Sequence, residues 1–438
     1  IRNTEYGIRY NRNMQSNQPI HWPSVLQFGL SALAALLLWG SAGLMLLLGM
    51  GQLLRAGSLQ DADPSSFLMA AGFGLLGNLF APSAWYSLAR LVQRPVHIPP
   101  WTAWRNFGKA IWLMPLVFLL GRFAAITPAL TWLALPILHV LAIGVPVLWF
   151  LSLGGRGLKS ASPQSAWGVF GAGLALGPFI IVIAELLLGL IALVIILFVL
   201  ADQPGFRAEL QRIVALLNRP SPDPRVLLPF LEAHFIQPSV ILIGLLFTAG
   251  VVPVLEEFFK PIGLIFLSKR ALTPARGFLA GMLSGAAFAL FESLFQAVPG
   301  EGWVILVTGR MGTSLVHIFN SGLVGWGFAL ARSERRYLSL LLHYLIAVTI
   351  HALWNGMAVL AVVASLPAEQ AILSNFPWAA VAGAGLLLLG GITFLALVRI
   401  NQHLQRQQTA RLVDPGSVNV DTQSEHIMAA RKPGIFQK

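Results

Sequence analysis

Apolar residues gather along this chain into ten long stretches, at 24–54, 66–90, 107–127, 129–154, 167–201, 239–268, 274–298, 303–331, 337–365 and 376–399. A helix rises ~1.5 Å per residue, so about 20 such residues cross the hydrocarbon core of a bilayer. The pattern predicts an all-α, polytopic transmembrane bundle of about ten spans. Between the fifth and sixth stretches, 201–238 mixes Arg207, Arg212, Arg219 and Arg225 with Asp202, Glu209, Asp223 and Glu232. Within it, 206–217 has apolar residues at helical spacing, which predicts a short helix on the membrane surface. The expected organisation is an N-terminal membrane domain (1–200, five spans, role unassigned), an external linker (201–238), a second membrane domain (239–399) and a polar, disordered tail (400–438).

Composition agrees: 56% of residues are hydrophobic, 11% are charged, and mean hydropathy is +0.73. A soluble domain carries about a quarter charged residues. The net charge of +12 raises the question of nucleic acid, but the basic residues are scattered between apolar runs and form no stripe. Orientation accounts for them. The even-numbered connections hold Arg90, Arg94 and Arg105, then Arg156 and Lys159, then Lys269, Arg270 and Arg276, then Arg332, Arg335 and Arg336. The odd-numbered ones are poor or balanced in charge, so the positive-inside rule gives cytoplasmic N- and C-termini. The first apolar run is too long for a signal-peptide core and is read as a retained helix. Cysteine is absent, which excludes disulfides, a thiol nucleophile and thiolate zinc sites.

A charge at the bilayer centre costs about 2.5–3.5 kcal/mol on insertion scales, so ionisable residues there mark function. The first half has His139 and Glu185; the second has Glu256, Glu257, Lys260, Glu292, Arg310, His317, His343 and His351 within four consecutive spans. Lys260 is i+4 from Glu256 and i+3 from Glu257, so one ammonium can reach both acids, leaving negative charge to spare. Phe288 and Glu292 share a face at i,i+4. Gly277, Gly281, Gly285 and Ala289 make a small-residue ridge in that span; Gly309, Thr313, His317, Ser321, Gly325 and Ala329 make another in the next, and such ridges let membrane helices approach closely. His351 and Asn355 are again i,i+4. Arg310, His343, His139 and Glu185 have no partner at helical spacing and are assigned structural roles.

The order of EExxK at Glu256–Lys260, FxxxE at Phe288–Glu292 and later histidines resembles the PrsW family of intramembrane proteases. It is also similar to the wider clan of type II CaaX-prenyl proteases and bacteriocin-processing membrane enzymes, whose pattern is EExxxR, FxxxH and HxxxN. The resemblance makes 239–399 a PrsW-like catalytic membrane domain. It implies catalytic roles for Glu256, Glu257, Lys260, Glu292, His317, His351 and Asn355, and a bacterial cytoplasmic membrane as the setting. The chain departs from the family's HxxxH form, since neither His317 nor His351 has a histidine four residues on.

The residues exclude other intramembrane designs: there is no HExxH and no GxSG, and every aspartate lies outside the spans. A glutamate and histidine mechanism remains, and the resemblance implies hydrolysis of membrane protein or peptide substrates by an activated water. In that reading Glu256 is the base, Glu257 and Lys260 set its charge, Glu292 and His317 position the water or a metal, and His351 with Asn355 faces the oxyanion. Glu292, His317 and His351 suffice as ligands for Zn²⁺, and a metal-free water stays open beside it. The competing classes are an ion- or proton-coupled transporter, which predicts inverted repeats that the two dissimilar halves lack, and a non-catalytic receptor or immunity protein, against which the motif acids stand intact.

Overall fold

The computed structural model describes residues 21–56, 58, 63–94, 108–218, 227–267, 272–296, 299–365 and 376–413. Among them there is no strand, and ten helices are long and apolar enough to cross a membrane. They are α1 (Trp22–Ala56), α2 (Ser65–Leu91), α3 (Gly108–Ile126), α4 (Ala134–Gly154), α5 (Pro163–Ala201), α6 (Pro238–Phe266), α7 (Pro274–Leu294), α8 (Gly302–Glu334), α9 (Tyr337–Val363) and α10 (Trp378–Ala410). The protein is a multi-pass integral membrane protein.

Helices α7 and α8 form the centre: 18 of the 21 residues of α7 and 20 of the 33 of α8 are buried. Their small-residue ridges interlock. A Cβ at Gly277 would strike the carbonyl of Gly325, one at Gly281 that of Ser321, and one at Gly285 that of His317. Lipid offers no hydrophobic drive for helices to associate, so backbones brought this close supply the packing instead. Around this pair, α4, α5 and α9 pack as a second layer, while α1 and the distal part of α5 turn Leu26, Leu30, Leu186 and Leu187 outward. In a bilayer these exposed leucines meet acyl chains.

Two spans are broken where the sequence reads as continuous helix. Helix α5 runs from Pro163 to Leu174, kinks at Ala175 and resumes over Leu176–Ala201. Pro178 cannot donate to the carbonyl of Leu174, which removes the hydrogen bond that would bridge the kink. Helix α6 is α-helical over Pro238–Leu246, a π-turn over Phe247–Val251, α-helical over Val252–Phe259 and a 3-10 helix over Lys260–Phe266. In the π-turn, Val252 N–H reaches back five residues to Phe247 O. Pro253, next in that register, has no N–H for the carbonyl of Thr248. Asn355 Nδ2 from α9 donates to it instead, at 2.9 Å. A lone carbonyl in hydrocarbon costs several kcal/mol, so this side chain keeps the broken helix tenable.

The predicted surface helix spans Phe206–Leu217 and is joined by a second, Leu227–Phe235; Phe206, Ile213 and Phe230 pack with Leu200 and Val240 between them. The C-terminal helix differs from expectation. It continues past 400 to Val413, because Leu404 is buried and Asn401 Nδ2 donates to Gly154 O and Arg156 O at 2.6 and 2.9 Å. Residues 414–438 of the expected tail lie outside the described residues, as do Arg105, Lys269 and Arg270.

Candidate functional site

The π-turn and the 3-10 stretch of α6 flank an eight-residue α-helix that holds Glu256 and Glu257, and both carboxylates are buried. Lys260 follows and is fully buried. Its Nζ lies 2.6 Å from Glu256 Oε2, 2.9 Å from Glu257 Oε1 and 2.7 Å from His317 Nδ1. The Phe288 ring covers the ammonium at 4.5 Å from its centroid and packs edge-on against His317. The phenylalanine of FxxxE therefore packs against both the ammonium and the His317 ring. Ser284 Oγ, one turn before Phe288 on α7, donates to the Lys260 carbonyl and ties the 3-10 turn to the central pair.

His317 projects from the α8 ridge and His351 from α9, their rings 5.1 Å apart. Partner chemistry fixes how each ring is protonated. An ammonium only donates, so His317 Nδ1 accepts from Lys260, and Nε2–H donates to Glu292 Oε2 at 2.7 Å. On His351, Nδ1–H donates to Glu257 Oε1 at 2.9 Å, and Nε2, a lone pair, lies 3.8 Å from Glu256 Oε2. Each imidazole thus gives one N–H to a carboxylate and turns the other nitrogen toward the cluster.

Glu256, Glu257, His317 and His351 each offer a ligand atom, and these atoms lie within 4.8 Å of one another. The donor set fits a divalent metal ion. Metal-bound histidines characteristically donate their second ring nitrogen to a carboxylate, as both do here. Glu257 Oε2 is buried without a hydrogen-bond partner. Glu256, Glu257 and Glu292 also outnumber Lys260 and Arg310, and excess negative charge in a membrane calls for a cation.

Glu292 stands one step outside this group of four. Its carboxylate is gripped by the buried Arg310, through Nη2 at 2.7 Å and Nη1 at 3.1 Å, and by His317. Arg310 Nε donates to Ser293 Oγ at 2.9 Å, which locks the guanidinium in place. Asn355 is directed to Thr248, as described above, and no hydrogen bond to the histidines or glutamates is made by it among the described residues. Two residues that helical spacing left unpartnered join the site. Arg310 holds Glu292, and Glu185 of α5 stands near Glu256 and Glu292. Their partners sit on other helices, so spacing within a helix gave no signal; charge in mid-span was the only one available. His343 remains apart, bonded to its own helix at Ser339 O, and His139 accepts from Trp303 Nε1 at 3.3 Å.

No curated protein and no solved structure matches the chain. A model of the PrsW family intramembrane metalloproteases matches residues 177–382. That match starts in α5, ahead of the connection over 202–237, and takes in Glu185 and every member of the cluster. Over this stretch, just under half of its length, the chain is similar to the PrsW family of intramembrane metalloproteases, in agreement with the resemblance that the glutamate and histidine motifs carry.

Proposed function

We propose that Glu256, Glu257, His317 and His351 form the catalytic centre of an endopeptidase that hydrolyses peptide bonds of membrane proteins within the bilayer. The observation that carries this reading is the buried convergence of four ligand-capable groups from three helices, with both imidazole lone pairs turned inward. A divalent ion such as Zn²⁺, held by His317, His351 and a carboxylate of the pair, would supply polarisation of the scissile carbonyl and a more acidic water.

The chain's own residues divide the remaining work. Glu256, the less buried of the two acids, takes the proton of the attacking water and returns it to the leaving amide nitrogen. Glu257, held by Lys260 and His351, keeps the His351 proton on Nδ1. Lys260 balances the paired charge, and its ammonium would have to yield the His317 Nδ1 lone pair to a bound ion. Arg310 and Glu292 hold the opposite edge of the His317 ring. Asn355 acts on the backbone of α6, placing the turn that carries Glu256, so an oxyanion role is not needed to explain its position.

The test is metal analysis of the purified protein, paired with cleavage of a panel of reconstituted single-pass membrane proteins before and after chelation. One tightly held divalent ion per chain, lost together with cleavage in His317→Gln and His351→Gln, is expected. Unchanged cleavage by thoroughly chelated protein removes the metal from the account, and unchanged cleavage by the histidine variants removes the site.

A further inference from the structure

A second feature lies in the first membrane half. Between Asp63 and Glu185 the chain has no acidic residue, yet it carries Arg90, Arg94, Arg105, Lys109, Arg122, Arg156 and Lys159. Two of these cations, Lys109 and Arg156, line a cleft of about 840 Å³ between α3 and α4. Its other walls are apolar and aromatic, including Trp112, Phe118, Trp149 and, from α8, Met311. None of its described lining residues belongs to the Glu/His cluster.

The two cations stand at one end of the cleft. A Cβ on Gly108 would run into Ser152 Oγ, so the start of α3 is level with Ser152, and Arg156 follows one turn later. From Lys109 to Phe118 the helix advances by ~16 Å, at about 2.0 Å per residue through its 3-10 start and about 1.5 Å beyond Met114. The cationic end is also firmly built. Asn401 Nδ2 and Gln405 Nε2 of α10 both donate to the Arg156 carbonyl, and Trp149 stacks on Phe394 of α10 at 5.4 Å. The result is a fixed apolar slot with two positive charges at its mouth, at the membrane face where basic connections gather.

We infer that this cleft binds one phospholipid with an anionic headgroup, its phosphate between Lys109 and Arg156 and an acyl chain laid along Trp112, Phe118 and Met311. Cations between helices at the membrane surface recognise such headgroups by charge, and burying the chain adds affinity that an ion alone would lack. The occupant is a lipid, not a free anion, because most of the slot is apolar. Such a lipid would fasten α3 and α4 to α8, giving the first half a part in holding the central helices.

Native mass spectrometry of the full chain, with phosphatidylglycerol or phosphatidylcholine added at equal concentration, tests this. Phosphatidylglycerol is expected to remain bound at one molecule per chain, at least about fivefold more than phosphatidylcholine. Lys109→Gln/Arg156→Gln should bring the two lipids level, while Arg90→Gln/Arg94→Gln, outside the cleft, should leave the preference intact. Equal retention of both lipids by the wild type overturns the inference, whether or not the variants fold. So does a preference that survives in Lys109→Gln/Arg156→Gln, or displacement of the lipid by millimolar inorganic phosphate.

Discussion

Arg310 offers a quantitative check on the site, because it acts through Glu292 on a histidine and touches none of the four converging ligand atoms. Arg310→Gln removes the Nη1 hydrogen bond and the 2.7 Å Nη2 ion-pair contact to Glu292, and the bond to Ser293. Breaking a buried ion pair costs about 3–5 kcal/mol; the Glu292 side chain is 28% exposed, and solvent screening lowers that to about 1–3 kcal/mol. The loss of stability is therefore moderate. The loss of activity should be larger in proportion, since residues that orient a metal-site histidine are worth about 10–100-fold. Arg310→Lys keeps the charge without the bidentate fork and should recover only part of the rate. The assay is a double-mutant cycle with Glu292→Gln, comparing cleavage in proteoliposomes with thermal unfolding of each variant. If both residues serve His317, the double variant loses no more activity than the worse single one. Fully additive losses, or an Arg310→Gln enzyme that unfolds earlier but cleaves at the normal rate per folded molecule, would refute the chain from Arg310 to Glu292 to His317.

Asn355→Ala strands the Thr248 carbonyl, so the melting temperature should fall together with activity, by the equivalent of about 1–3 kcal/mol; an unchanged melting temperature with impaired turnover would assign Asn355 to the reaction itself. Gly281→Ala forces a methyl against the Ser321 carbonyl and should abolish folded protein in detergent, while Gly309→Ala, with nothing within 4 Å of the new Cβ, should purify normally; equal yields would contradict the close α7–α8 packing. The distribution of basic residues predicts cytoplasmic termini, so a reporter active only in the cytoplasm should work when fused after Lys438 and fail within 205–235, and the reverse pattern would invert the orientation.

The spans are legible in the sequence because twenty apolar residues in a row have few alternatives, and the contact of α7 with α8 is legible because both ridges repeat every four residues. Glu256, Glu257 and Lys260 declare themselves by local spacing. What spacing hides is whatever depends on a second helix. The Thr248 carbonyl meets Asn355 across 107 positions, so the histidine–asparagine pair looks like a catalytic donor until its partner is seen. Spacing likewise gives no sign that Glu292 pairs with Arg310, 18 positions away on the next helix. The helix over 401–413 is polar and reads as tail, yet it folds because its amides find the carbonyls that end α4.

The central claim is that Glu256 works on the attacking water in a preassembled site, and substituting this one carboxylate tests it most directly. Glu256→Gln keeps the size of the side chain and removes the base. The rate of cleavage of a reconstituted single-pass substrate, measured beside the melting temperature of the same preparation, should fall by about 10² or more with folding intact. Turnover within about threefold of wild type, from protein equally folded, would contradict the account.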